Sequence, residues 1–185
     1  MIIAVIGGIG SGKSEVVSVA REMGITCLSA DEINSELLKS PAYIAKLAEA
    51  FPDCVACGVV DRALLASRVF SEKKSRHTLN AIAHPEIKKR IAACTDDPLV
   101  VEVPLLLESG MKDMFDEVIL VTAPRKERLK RLEKRGLSPE RARAIMRSQF
   151  PDFVLRRVAT RAIENSGTKE ELHEAARDVL RILCE

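Results

Sequence analysis

The stretch MIIAVIGGIGSGKSEVV, residues 1–17, sets glycines at positions 7, 8, 10 and 12, directly after an apolar run and directly before a segment of helical pattern. Glycine weakens regular structure, so its crowding at a strand-to-helix junction calls for a compensating purpose. Residues 7–14, GGIGSGKS, match the phosphate-binding spacing GxxxxGK(S/T). In that pattern the glycines let successive main-chain N–H groups curve around phosphate oxygens, and the following helix adds the partial positive charge of its N-terminus. Gly8, Ile9, Gly10, Ser11, Gly12, Lys13 and Ser14 are therefore the expected triphosphate-binding residues. Lys13 is expected to bridge the outer phosphates and the Ser14 hydroxyl to hold Mg²⁺. The acceptor of the phosphoryl group stays open among water, a protein and a small hydroxyl compound.

Working outward, IIAVI reads as a buried strand and SEVVSVAREMG as a helix ending near Gly24. TCLSA is a second strand, after which Asp31 is placed to cap a helix through INSELLK. Residues 42–94 read as mainly helical, interrupted by an irregular stretch or small hairpin, FPDCVACGVV, before Asp61. LVVEV (99–103) and EVILVT (117–122) are too apolar to alternate and read as strands buried on both faces. A basic helix runs from Pro124 to about Arg135, and SPERARAIMRSQ forms a second, with Ser138 as N-cap and Pro151 as its end. A last strand near VATRAI and a helix from Thr168, whose Glu171 completes a capping box, finish the chain. Alternating strands and helices predict a three-layer α/β fold with a parallel sheet, in which ligands bind beyond the carboxyl ends of the strands.

The 185 residues suit one domain, and 46% hydrophobic with 30% charged residues is an ordinary globular composition. No apolar run approaches the roughly 18 residues that span a membrane, and no basic leader precedes the first strand, so a cytoplasmic location is expected. Five scattered cysteines suit reduced thiols, and the CxxC of Cys54 and Cys57 has no second metal-binding pair beside it. The net charge of +2 hides an asymmetry: residues 125–161 hold 13 Lys/Arg against 4 Asp/Glu. Such a block is a solvated face, a nucleic-acid footprint or a lid that closes over phosphates. With aromatics at 3% there is little to stack on bases, which argues against the nucleic-acid option.

On the acceptor side, Asp31 at the end of the second strand is placed either to take the proton of an attacking hydroxyl or simply to cap the next helix. Glu102 inside LVVEV is a candidate for the water shell of Mg²⁺, since a buried glutamate without such a partner is expensive. Glu108 is a second candidate, equally at home on a helix surface. His84, before Pro85, is placed where one helix turns into the next, and a lone histidine there is more often structural. Arg128, Arg131, Arg135, Arg143 and Arg147 lie on the two basic helices; one or two of them are expected to stabilise transferring phosphate, the others to be solvated.

Together these stretches resemble the dephospho-coenzyme A kinases, which phosphorylate the ribose 3′-hydroxyl of dephospho-CoA with ATP. The similar segments run nearly end to end: GGIGSGKS, ADEI at Asp31, VVDRALLASRVF with Asp61 and Arg62, LNAIAHPEI with His84, VPLLLESG with Glu108, RLKRLEKRGLSPE with Arg131 and Arg135, SQF with Gln149, and IENSG with Asn165. The resemblance implies a single kinase domain over residues 1–185 with a helical CoA-binding region at about 35–95 and a lid at about 124–150. It further implies Asp31 as base, Arg131 acting on the phosphates, and Arg62, His84 and Glu108 lining or supporting the acceptor pocket. The chain departs from the family pattern at Ser29 and Thr160, where aspartate is common, at Arg128, where glutamine is common, and at Ile145, where arginine is frequent. Two rival readings remain at this stage: a kinase of the nucleoside-monophosphate type with another small acceptor, and a regulatory NTPase.

Overall fold

A computed structural model describes residues 1–184. Among them the chain runs β1 (Ile2–Ile6), α1 (Lys13–Glu22), β2 (Thr26–Ser29), α2 (Ala30–Leu37), α3 (Pro41–Ala50), β3 (Val55–Ala56), β4 (Val59–Val60), α4 (Arg62–Ser71) and α5 (Lys73–Ala92). It continues through β5 (Leu99–Glu102), α6 (Leu106–Ser109), β6 (Glu117–Thr122), α7 (Arg125–Lys134), α8 (Pro139–Ser148), α9 (Asp152–Leu155), β7 (Arg161–Glu164) and α10 (Lys169–Cys184). The residues fall into two compact units, one made of residues 1–29 with 96–185 and the other of residues 30–95.

The first unit is built on a parallel sheet of order β2-β5-β1-β6-β7. The apolar runs that refused to alternate form its centre: Ile3, Ala4, Val5, Leu99, Val100, Val101, Ile119 and Leu120 have no exposed surface at all. Strands buried on both faces need continuous apolar sequence, which is the property that marked them. On one face Ile3, Val5, Val100, Ile119, Val121 and Ile163 pack against Val16, Val19 and Ala20 of α1 and Leu172, Ala176 and Leu180 of α10. The i, i+2 spacing in the strands and the i, i+4 spacing in α10 are what bring these residues to one surface. Register places Val5 and Ser29 on either side of Glu102, so the ends of β1, β2 and β5 share one edge.

Local sequence ends the elements as physical chemistry asks. Helix α1 closes in a Schellman arrangement, with Ile25 N–H donating to Ala20 O and Gly24 N–H to Arg21 O, and Gly24 takes φ 81°. The capping box of α10 forms in both directions, Thr168 N–H to Glu171 Oε2 (2.7 Å) and Glu171 N–H to Thr168 Oγ1 (3.2 Å). Ser138 caps α8 by accepting from Arg141 N–H. Thr160 ties the approach to β7 onto β6: its Oγ1 accepts from Val118 N–H and donates to the Glu117 carboxylate.

The second unit is helical apart from one hairpin. Helix α5 contacts α2, α3 and α4 and supplies buried Ala83, Ile87 and Ile91, which meet a core that includes Leu37, Leu47 and Leu65. The hairpin β3–β4 pairs Ala56 with Val59 across Cys57 and Gly58, both at positive φ (50° and 74°), the signature of a two-residue turn that matches strand twist. Cys54 is buried and Cys57 sits exposed in that turn, so hairpin geometry accounts for the CxxC spacing.

Four local expectations need correction. Helix α2 begins at Ala30, so Asp31 lies inside its first turn rather than at the N-cap; alanine is buried there and is a strong helix former. His84 and Pro85 do not mark a junction, because α5 runs on through both. Proline removes one hydrogen bond to the i−4 carbonyl, here that of Ala81, and a 20-residue helix packed on three neighbours tolerates the loss. Helix α8 stops at Ser148, and Pro151 instead begins the short α9. The last strand starts at Arg161, three residues beyond the start of VATRAI, because Thr160 is spent on the side-chain bonds just described.

Replacing Pro85 by alanine restores the missing N–H and removes the ring from the path of the helix. The expected outcome is slower amide exchange along α5, with a gain of about 1–3 kcal/mol in local opening free energy.

Candidate active site

The site is assembled where β1, β5 and β7 end. Between β1 and α1 the chain turns through Gly7–Gly12, and Gly12 serves as the N-cap with φ 107° and ψ 17°. A side chain at Gly12 would be strained by that backbone and would also collide with Asn165, whose Nδ2 lies 2.3 Å from the place of a Cβ. At Gly8 the open space is taken by Arg128: an added Cβ would stand 2.0 Å from its Nη2, so a larger residue there would displace the guanidinium.

Lys13, only 8% exposed, folds back so that its Nζ donates to Gly8 O at 3.3 Å. The ammonium is thereby held over its own loop. Ser14 Oγ lies 3.4 Å from Glu102 Oε1, so the hydroxyl and the carboxylate singled out for Mg²⁺ converge from α1 and β5. Two hard oxygen donors at the mouth of a phosphate loop are the chemistry that ion takes. Ser11 Oγ is fully buried and has no hydrogen-bond partner within the described residues.

The underside of the loop is held by α7 and β7. Arg131 donates from Nη1 to Gly10 O and Ser11 O, each at 3.4 Å, and from Nη2 to Asn165 O (3.2 Å) and Asn165 Oδ1 (3.0 Å). Asn165, 6% exposed, returns a bond from Nδ2 to Ser11 O at 2.7 Å. One turn earlier Arg128 donates from Nε to Ile9 O at 2.8 Å, while Gln149 Oε1 accepts from Ile9 N–H at 2.8 Å. Arg128 is buried, and burial pushes its pKa down, opposed by Asp152 with Oδ1 3.4 Å from Nη1.

Beside this assembly lies a cavity of about 560 Å³ whose walls include Gly10, Gly12, Arg131, Arg135, Asn165 and Leu172. Glu15 lies on its rim, with Lys169 Nζ at 2.9 Å and His173 Nε2 at 3.1 Å. These two partners, Lys169 first, hold the Glu15 carboxyl below its ordinary value of 4.5. Glu108 on α6 is half-buried; burial pushes its pKa up, and hydrogen bonds to its own main chain and that of Phe150 pull the other way.

The remaining predicted residues belong to the helical unit. Asp31, Glu32, Ser35 and Glu36 of α2 line an open hollow of about 370 Å³. Arg62, the first residue of α4, reaches α2 and donates from Nη2 to Ser35 O at 3.4 Å. Asp61 caps α4, its Oδ1 accepting from Ala63 and Leu64 N–H. His84 is half-buried on α5; burial, followed by the charge of Lys88, pushes its pKa below 6.5. The structure thus brings Lys13, Ser14, Glu102 and Arg131 to one edge of the sheet, and Asp31 and Arg62 to neighbouring turns of α2 and α4.

Sequence reasoning missed the work of Arg128, Gln149 and Asn165 on the loop. Their contacts span 119, 140 and 154 residues, beyond the reach of any local pattern. The one available signal was that Asn165 follows a strand directly, at the edge where parallel sheets present ligand-binding groups.

The model of the family described as CoaE, dephospho-CoA kinase, matches residues 1–171. A dephospho-CoA kinase of Deinococcus radiodurans is 40% identical over 185 residues, covering 96% of this chain and 89% of the relative. Among solved structures, TT1252 from Thermus thermophilus superposes with a TM-score of 0.86 at 34% identity, covering 100% of this chain and 98% of that one. Dephospho-CoA kinase from Campylobacter jejuni superposes with a TM-score of 0.73 at 25% identity, covering 99% of this chain and 96% of that one.

A depressed Glu15 pKa makes the folded state bind fewer protons than the unfolded chain near that value. Its contribution is therefore present above 4.5 and lost as pH falls through the lower folded value. Thermal denaturation followed from pH 7 downward is expected to show a falling Tm below about pH 4.5, and Glu15→Gln is expected to flatten that part of the curve.

Proposed function

This chain belongs to the dephospho-CoA kinase family, and from that premise we propose that its sheet-edge site transfers the γ-phosphoryl group of ATP to the ribose 3′-hydroxyl of dephospho-CoA, the step that completes coenzyme A. The observation that carries the proposal is the convergence of Lys13, Ser14, Glu102 and Arg131 on one glycine loop. A generic phosphate turn needs no acidic group beside its serine and no arginine beneath it. The three-layer fold is that of a P-loop kinase.

The triphosphate lies against the main chain of residues 8–14, where Ile9 N–H is already bonded to Gln149 Oε1 and Ser11 N–H to Gly8 O, so that Gly10 and Gly12 N–H face it. The first N–H groups of α1 have no acceptor within the helix, and the helix terminus adds partial positive charge. Lys13 swings from Gly8 O to the outer phosphates. Ser14 and Glu102 would hold Mg²⁺, whose charge would offset the negative charge of the phosphates. The 560 Å³ cavity beside Arg135 and Leu172 takes the nucleoside end of ATP.

Asp31 receives the proton of the 3′-hydroxyl as its oxygen attacks phosphorus. A new O–P bond forms, the bond from phosphorus to the oxygen bridging the β- and γ-phosphates breaks, and ADP leaves with the electron pair. Arg131 stabilises charge on the transferring group once its guanidinium leaves the carbonyls of Gly10 and Ser11 for the phosphates. Arg62, His84 and Glu108 line or support the acceptor pocket, with His84 acting as a neutral hydrogen-bonding group because burial lowers its pKa. The helical region at about 35–95 binds the CoA moiety and the basic segment at about 124–150 is the lid. This reading carries a cytoplasmic location, and no helix among the described residues is long and apolar enough to cross a membrane.

A panel of acceptors with ATP and Mg²⁺ checks the substrate. Dephospho-CoA is expected to gain the mass of one phosphoryl group with matching ADP release, and nucleoside monophosphates to gain none; ADP release independent of any acceptor would overturn the assignment. Asp31→Asn is expected to lower kcat by about 100-fold or more with ATP affinity intact. Lys13→Ala is expected to weaken ATP binding as well as turnover, by calorimetric titration, because it removes a direct phosphate contact.

A further inference from the structure

We infer that Arg128, with Asp152 and Gln149, clamps Ile9 and so fixes which way the phosphate loop presents its N–H groups, making Arg128 a positioning residue for the nucleotide. This rests on the reading of residues 7–14 as the nucleotide site. Ile9 sits between Gly8 and Gly10, where flanking glycines leave the backbone many conformations. Nevertheless both of its polar main-chain groups are bonded at 2.8 Å, the N–H to Gln149 Oε1 and the carbonyl to Arg128 Nε. Neither partner comes from the loop: Arg128 is on α7 and Gln149 follows α8.

Peptide geometry gives the clamp its consequence. In a trans peptide the carbonyl of one residue and the N–H of the next face opposite ways. Holding Ile9 O towards Arg128 turns Gly10 N–H to the other side, and holding Ser11 O towards Arg131 and Asn165 does the same for Gly12 N–H. Arg128 and Arg131, three apart on α7, thus take the carbonyls of Ile9, Gly10 and Ser11 between them and leave the opposite surface of the loop rich in donors.

The fit is mutual. The guanidinium lies where a Gly8 side chain would be, 2.0 Å from the site of its Cβ, so any larger residue at position 8 would displace it. An arginine 9% exposed leaves water at a cost that the bond to Ile9 and the ion pair with Asp152 offset. A solvated lid arginine would need neither partner.

The test is calorimetric binding of ATP with Mg²⁺ together with steady-state kinetics on the full chain. Arg128→Met is expected to weaken ATP binding about ten- to hundredfold, as loss of a charge-assisted bond does, and to raise KM for ATP while KM for dephospho-CoA stays put. Arg128→Gln, which keeps an N–H donor for Ile9 O, is expected to recover part of the affinity that methionine loses. Arg128→Met with wild-type ATP affinity, whatever its Tm, would overturn the inference. Should that variant not fold, Asp152→Asn and Gln149→Ala decide in its place: a several-fold rise in KM for ATP alone supports the clamp, and none refutes it. Wild-type protein that failed to bind ATP, or Lys13→Ala that bound it as wild type does, would sink the reading of the loop itself.

Discussion

The chemistry of this protein depends on the direction in which a few peptide groups face. A loop of glycines is suited to phosphate because its main chain can come close, yet the same freedom leaves it without a shape of its own. Here the shape is imposed from beneath, by side chains that take up the loop's carbonyls: buried Arg128 for Ile9, half-buried Arg131 for Gly10 and Ser11, and buried Asn165 for Ser11. With the carbonyls occupied on one side, the donors are directed to the other. The helix α1 then starts at the end of the loop with its partial positive charge in the same direction.

That arrangement is affordable only on a rigid base. The central strands are buried except at one end residue each, and each fully buried Val, Leu or Ile contributes about 1.5–3 kcal/mol relative to exposure. Because all five strands are parallel, their carboxyl ends share an edge, and the loop after β1, Glu102 at the end of β5 and Asn165 after β7 are delivered there together. Register fixes the spacing along that edge, since a slip of one residue would turn Glu102 to the other face and away from Ser14. The sheet is therefore a jig as well as a core.

The helical unit follows a different logic. Its helices are held around α5, a long helix that carries a proline in its interior, and its polar surface includes the hollow lined by Asp31. Asp31 belongs to the first turn of α2 and not to the cap. Two of the departures from the family pattern have structural work: Thr160 joins β7 to β6 by side-chain bonds, and Arg128 is buried under the phosphate loop.

What could be read without coordinates was whatever lies close along the chain. The phosphate loop, the three central strands, the Gly24 stop and the Thr168–Glu171 capping box are each set by residues within a few positions of one another, and hydrophobic period or turn chemistry marks them directly. Lys13 and Ser14 belong to this group, because motif spacing alone placed them. Tertiary structure alone decided the rest: that Glu102 reaches Ser14, that Asn165 and Arg131 meet under Ser11, that Gln149 and Arg128 take hold of Ile9, and that α5 passes unbroken through Pro85. The reason is that such partners lie 88 to 154 residues apart in the cases of Ser14 and Asn165, where no periodicity operates and only strand register and helix packing bring groups together.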